Sequence, residues 1–350
     1  MMSGTSMATP QMTGASAVVL ERVQNDPLFS SLNDRQKVDV VQNLIMGTAV
    51  PVVDPGQGGG AYYSPRKQGA GLANLEAATN SSVYPTVNGA TDASRPKADL
   101  GDGTNGWHFD VTLHNLSGVE ATYALNTQAL SEFVEDGFFT GHSSDWRGKG
   151  VDIAYSGAAV NGTGEGATIT VPASGEATVG VDVTPRATFD SYVAQNAPNG
   201  TFLDGFVRLT SKTDGQPDLT VPYMGFYGDW GKAPIFDALA SDGGAHTLAS
   251  GIYNGTTGQQ LGYNPLVKAD ARTGTPKADR YVLSRAEASG APTVLEPRTG
   301  TLRSVHTLNT VYANAAGESV ASYVTHQAWK SGVNPSTGKM TWVEDGHEST

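Results

Sequence analysis

The chain has no cysteine, and only 16% of its 350 residues are charged. The missing thiols exclude disulfides, thiolate zinc sites and a cysteine nucleophile. They leave the compartment open, because secreted and cytosolic bacterial proteins both do without cysteine. Long apolar runs are also missing, and nothing approaches the ~20 residues of a membrane-spanning helix. The opening residues Met1-Met2-Ser3-Gly4 lack the basic stretch and hydrophobic segment of a signal peptide, so a secretion signal is expected in preceding sequence if the protein is exported. Basic residues are few, 22 against 34 acidic ones, giving a net charge of −12 with no basic cluster. Binding a phosphate backbone requires concentrated Lys and Arg, so nucleic acid is not an expected partner. The acidity is read as a soluble surface.

What is abundant points to β-structure. The 43 glycines and 18 prolines separate short Val/Ile/Thr/Tyr runs, as in turn-rich β-domains. At ~100–200 residues per domain, the length predicts two or three. Residues 1–82 hold the only strong helical patterns. Ser16 to Val23 is apolar and helix-compatible, and Asn33 with Gln36 has the spacing of a capping box. Val38, Val41, Leu44 and Ile45 then fall on one helical face, and Gly47 is the expected stop.

Residues 83–237 read as strands. Trp107, Phe109, Val111 and Leu113 alternate with polar residues, and a strand is predicted over Ala121 to Thr127. Hairpins are predicted at Pro172–Glu176, between Ile169–Val171 and Thr178–Val183, and at Thr213–Gln216, between Phe206–Thr210 and Leu219–Tyr223. Strands at this spacing without intervening helices imply a β-sandwich. Residues 238–350 are read as a second, truncated sandwich, with strands at Ser304–Ala313 and Ser319–Trp329 around Asn314–Gly317.

The stretch that carries chemistry is Ser3-Gly4-Thr5-Ser6-Met7-Ala8-Thr9-Pro10. A nucleophilic serine needs an exposed Oγ, a nearby base and donors for the developing oxyanion. Gly4 permits a tight backbone approach just before it. If a helix starts at Ser6, its first amides and its dipole favour the anion formed there. Pro10 suits an early turn, where its missing N–H costs little. Thr13 to Ala17 are small, which lets the helix pass close under a sheet.

These residues resemble the nucleophile motif of the subtilase family, Gly-Thr-Ser-Met-Ala-Ser/Thr-Pro. The resemblance implies Ser6 as nucleophile, supported by Gly4, Thr5, Met7 and Pro10, with the Ser6 amide as one oxyanion donor and an Asn side chain as the other. The family orders its triad Asp, His, Ser along the chain. With five residues ahead of Ser6, the Asp, His and Asn are expected in a missing N-terminal half of the catalytic domain, and the chain alone is expected to be inactive. The histidines from His108 to His347 are read as surface groups, His108 and His114 on the polar face of a strand and His142 in a loop with Asp145.

Tyr62 to Gly71, Asn199 to Leu209 and Val221 to Trp230 are similar to segments of the cell-envelope proteinases, the lactocepin and complement-cleaving peptidase group of Gram-positive bacteria. That resemblance implies a mixed, mostly β fold: the C-terminal remnant of an α/β subtilase domain, then fibronectin type III-like sandwiches. It implies a serine endopeptidase acting on extracellular proteins or peptides at a bacterial cell envelope; no cofactor or metal is expected. The rival reading is a non-catalytic adhesion or spacer module.

Weaker signals complete the reading. Asp136, Asp145 and Asp152 are taken as a solvated acidic loop rather than a cation site, and Glu296–Gly300 lacks the acids of a calcium-type loop. Asn-x-Ser/Thr sequons at Asn80, Asn115, Asn161, Asn199 and Asn254 are read as incidental. Tyr223, Phe226, Tyr227 and Trp230 are expected to pack a junction between β-modules.

Overall fold

The computed structural model of the chain describes residues 4–57, 60–89, 95–135, 138–232, 236, 251–256, 295–298, 307–326, 332–333, 340–341 and 347–349. It divides into two compact units, Met1–Lys232 and Ala233–Thr350.

The first unit opens with a helical layer. Helix α1 (Thr5–Asn25) starts one residue earlier than the motif predicts, with Gly4 as its N-cap. Only its second half is packed: Ala15, Val19 and Val23 are buried at four-residue spacing, whereas residues 4–14 are all exposed. Helix α2 (Asp34–Gly47) has the expected capping box, with the Gln36 N–H donating to Asn33 Oδ1 and the Asn33 N–H donating to Gln36 Oε1. Val41, Leu44 and Ile45 are buried as read, but Val38 is 44% exposed and Val40 takes its place in the core. Gly47 is the last helical residue, and the stop falls on Thr48, whose N–H and hydroxyl both return to the Leu44 carbonyl. Two short helices follow, α3 (Pro65–Gln68) and α4 (Leu75–Asn80). Val19, Val23, Phe29, Val40, Leu44 and Ala78 form the core of this layer.

The remainder of the unit is the sandwich: β1 (Val83–Val87), β2 (Ala98–Gly103), β3 (Trp107–Asn115), β4 (Ala121–Thr127), β5 (Leu130–Glu135), β6 (Phe138–Asp145), β7 (Val151–Ser156), β8 (Val160–Asn161), β9 (Thr168–Val171), β10 (Gly175–Pro185), α5 (Ala187–Asn196), β11 (Thr201–Ser211) and β12 (Leu219–Tyr227). One sheet has the order β1-β3-β10-β7. The other runs β2-β12-β11-β4-β9-β8, with the β5–β6 hairpin branching from β11. The inward residues of β3, Phe109, Val111 and Leu113, meet those of the facing sheet, and the rings of Phe109 and Tyr223 lie 5.4 Å apart.

Two expectations are corrected here. The β11–β12 hairpin forms as predicted, with Leu209 opposite Leu219. The segment Pro172–Glu176, however, is a crossing between sheets, because β9 pairs with β4 and β8 while β10 pairs with β3 and β7. The crossing is tied down by the buried Asn115 side chain, which donates to the carbonyls of Val119, Val171 and Pro172 and accepts from Ser117. The segment between β10 and β11 is also helical, and α5 plugs the sandwich with Phe189 and Val193.

In the second unit β13 (Gly251–Asn254) pairs with β14 (Leu295–Arg298). β15 (Thr307–Ala313) and β16 (Ser319–His326) form the expected hairpin, closed by Asn314, whose side chain accepts the N–H groups of Ala316 and Glu318. A strand at His347–Ser349 adds to β16. Ser304 to His306, Gln327 to Trp329, Thr299 and Gly300 lie outside the described residues.

Candidate functional site

Ser6 is the second residue of α1 and is exposed. The first helical hydrogen bonds run from the N–H groups of Met7 and Ala8 to the Gly4 carbonyl, at 3.0 and 3.2 Å. The amides of Thr5 and Ser6 lie ahead of these bonds, where a helix directs unpaired donors and the positive end of its dipole outward. Gly4 has φ 149° with open space around its Cα, so glycine is needed there for its backbone conformation. Pro10 stands inside the helix, where it has no N–H for the Ser6 carbonyl. The hydroxyls of Thr9 and Thr13 bond back to the carbonyls of Thr5 and Thr9. Met7 is 37% exposed beside Ser6.

The far end of this helix is held by Arg22, a residue the sequence does not single out. Its guanidinium donates to the carbonyls of Ala78 and Ser81, lies 5.0 Å from the centre of the Phe29 ring and pairs with Asp26. Burial lowers its pKa against the opposing pull of Asp26. α1 is therefore a rod with one free end, bearing Ser6, and one end tied to α4 and the entry to β1.

Three described histidines are engaged elsewhere. His108 Nδ1 lies 2.8 Å from Asp182, a hydrogen bond that raises the His108 pKa against the effect of burial. His114 stacks on Tyr84 and is lowered by burial. His142 is on strand β6, not in a loop, and its Nδ1 lies 2.9 Å from the buried Asp54. Burial by itself would raise the Asp54 carboxyl. Donation from the Gly56 N–H, His142 and the Ser143 N–H outweighs burial and holds Asp54 below the usual carboxylate range.

A second buried carboxylate lies across the same junction. Asp204 on β11 accepts from Ser64 Oγ at 2.5 Å and from Arg66 Nε at 2.9 Å, and Arg66 also reaches Glu132 at 3.2 Å. Asp204 is held above the usual carboxylate range, first by burial and secondarily by Glu132, against the opposing effects of Arg66 and Ser64. Together with the Lys67 ammonium on the Gly141 carbonyl, these bonds fasten residues 54–67 to the β5–β6 hairpin and β11. The residues of the Tyr62–Gly71 segment are visible in sequence, but Asp204 lies 140 positions from Ser64 and 138 from Arg66, and Gly141 lies 74 from Lys67.

Among the weaker signals, Asp136 lies outside the described residues. Asp145 accepts the amides of Ala129 and Arg147, and Asp152 pairs with Arg186. Asn115 is buried and fully engaged. Tyr223 and Tyr227 belong to the sandwich core rather than to a junction of modules, while Phe226 and Trp230 group with Phe202. Among the described residues no helix is long and apolar enough to cross a membrane.

Comparison with known protein families finds two matches within the first unit. Residues 1–93 match the subtilase family, and residues 99–224 match the Fn3-like domain. The chain is 29% identical over 280 residues to the PIII-type proteinase of Lactococcus lactis subsp. cremoris, covering 78% of this chain and 13% of that protein. It is 29% identical over 284 residues to the PII-type proteinase of Lacticaseibacillus paracasei, covering 77% and 14%. It is 24% identical over 298 residues to the C5a peptidase of Streptococcus pyogenes, covering 84% and 23%. The chain thus spans between 13% and 23% of the length of these relatives.

Proposed function

We propose, from a chain that carries a subtilase segment ahead of an Fn3-like domain, that it is the nucleophile-bearing part of a serine endopeptidase. Ser6 Oγ gives its proton to the general base and attacks the carbonyl of a peptide bond. The C–N bond breaks as the amine leaves with that proton, and water then hydrolyses the acyl-enzyme ester to free Ser6 and a carboxylic acid. The Ser6 amide at the head of α1 donates to the oxyanion. Gly4 and Thr5 shape the turn that presents the hydroxyl, and Met7 and Pro10 complete it. The general base, the acid that orients it and a second oxyanion donor come from a preceding part of the catalytic domain.

The observation that carries this reading is the exposure of Ser6 at the free end of a long, anchored helix. Apolar side chains left exposed on the helical layer support a covering partner: Met7, Met12 and Val18 on α1, Val38 on α2, and Leu72. In this proposal residues 1–82 close the catalytic domain, residues 83–237 are its first sandwich, and residues 238–350 belong to a second. The substrates are extracellular proteins or peptides, and the site of action is a bacterial cell envelope.

A fluorophosphonate probe tests the reading. The chain alone stays unlabelled; joined to the preceding part of its catalytic domain it is labelled at Ser6, and Ser6→Ala removes the label. The same substitution is expected to cost about 10⁶-fold in kcat, the size of the loss known for the nucleophile of subtilisin itself. Absence of labelling in the joined protein would favour a spacer or adhesion role instead.

A further inference from the structure

We propose that Asp204, Glu132 and Arg66 form a proton-binding latch, and that uptake of one proton there tightens the hold of residues 61–69 on the Fn3-like domain. Two carboxylates share one guanidinium: Arg66 Nε lies 2.9 Å from Asp204 Oδ2, and Nη2 lies 3.2 Å from Glu132. The Asp204 side chain is 1% exposed. Its Oδ2 receives both Ser64 and Arg66, while its Oδ1 is buried with no hydrogen-bond partner among the described residues. A buried ionised carboxylate is stable only when its oxygens are supplied with donors. Here one oxygen is unsupplied and a second acid competes for the same cation, so an added proton removes a buried charge and ends the competition.

The other groups around Asp204 do not supply the missing charge. Lys67, also from α3, is bonded to the Gly141 carbonyl. Tyr223 from β12 donates its phenol to the Gln128 carbonyl at 2.6 Å. Leu130 of β5 stands opposite Asp204 in register, and the Phe202 ring lies 4.3 Å from the Arg66 guanidinium. Burial accordingly holds the Asp204 carboxyl above its ordinary value. A carboxyl raised in the closed state binds more protons closed than open. The closed state therefore gains stability as pH falls from the raised value towards the ordinary carboxylate range, and gains nothing further below it. The inference does not depend on Ser6 being a nucleophile.

The test is amide hydrogen exchange on the whole chain at Lys67, Gln68 and Gly69, whose N–H groups bond to the carbonyls of Ser64 and Pro65. Rates are corrected for intrinsic exchange and followed from about pH 7.5 down to about pH 4, the ordinary carboxylate range. Protection is expected to rise as pH falls, by at most about tenfold per pH unit, the limit for one proton. Asp204→Asn, a fixed neutral isostere, is expected to lose this pH dependence while keeping at least wild-type protection at the upper pH. Flat or falling wild-type protection, or an Asp204→Asn profile parallel to wild type, overturns the latch. Should Asp204→Asn fail to fold, the carboxyl ¹³C titration of Asp204 in the unaltered chain decides. An inflection above the ordinary range supports the proposal, and one at or below it overturns it.

Discussion

The helical layer and the sandwich bury apolar side chains in different ways. In the sandwich two sheets face each other, and Val111, Leu113, Val179, Val181 and Tyr223 are all at most 1% exposed. The helical layer is closed on one side only. Val19, Val23, Phe29 and Leu44 are fully buried, yet Met12 and Val18 on the outer surface of α1 stand open, as does every residue from Gly4 to Gly14. The difference teaches that facing sheets bury these side chains between them, whereas the first half of the helix bearing Ser6 leaves its side chains exposed.

The comparison can be broken at its strongest point by Leu113→Ala. Truncating this buried side chain is expected to cost about 2–5 kcal/mol, read as a lower urea midpoint for the first unit. The junction between the two regions comes next. Asp54→Asn removes the charge and keeps one acceptor oxygen while turning an NH2 towards the donors at the other, and is expected to cost about 1–3 kcal/mol at neutral pH. Because the Asp54 carboxyl lies below its ordinary value of 3.8, its contribution is fully present above that value and is lost as pH falls through the lowered one. The gap between wild type and Asp54→Asn should therefore close in acid, and a gap independent of pH would assign the bond no charge-dependent role. The smallest effect sharpens the contrast: Val18→Ala is expected to change stability by no more than about 0.5 kcal/mol in this chain. A loss as large as that of Leu113→Ala would mean that the outer face of α1 is already packed.

Local chemistry made much of the architecture legible. The capping box at Asn33 and Gln36, the alternation along β3 and the turn at Thr213–Gln216 each act between residues a few positions apart, and each appears where it is read. The errors follow from the same limit. Pro172–Glu176 has the composition of a hairpin turn, but composition does not say to which sheet the flanking strands belong. Val38 fits a helical face by spacing, and the packing of α1 against α2 selected Val40 in its place. The α5 segment is short and weakly patterned, and its helix is held by Phe189 against Trp146 and Tyr227.

By itself the sequence determined the motif around Ser6, the start of α2 and the strands β3, β4, β9 to β12, β15 and β16, because caps, periodicity and turn residues operate over a few bonds. Only the tertiary structure decided that α1 has one anchored end, that His142 meets Asp54, and that Asp204 receives Ser64 and Arg66. Those pairings join residues far apart in the chain. Their energy depends on burial, and burial exists only once the sheets have closed.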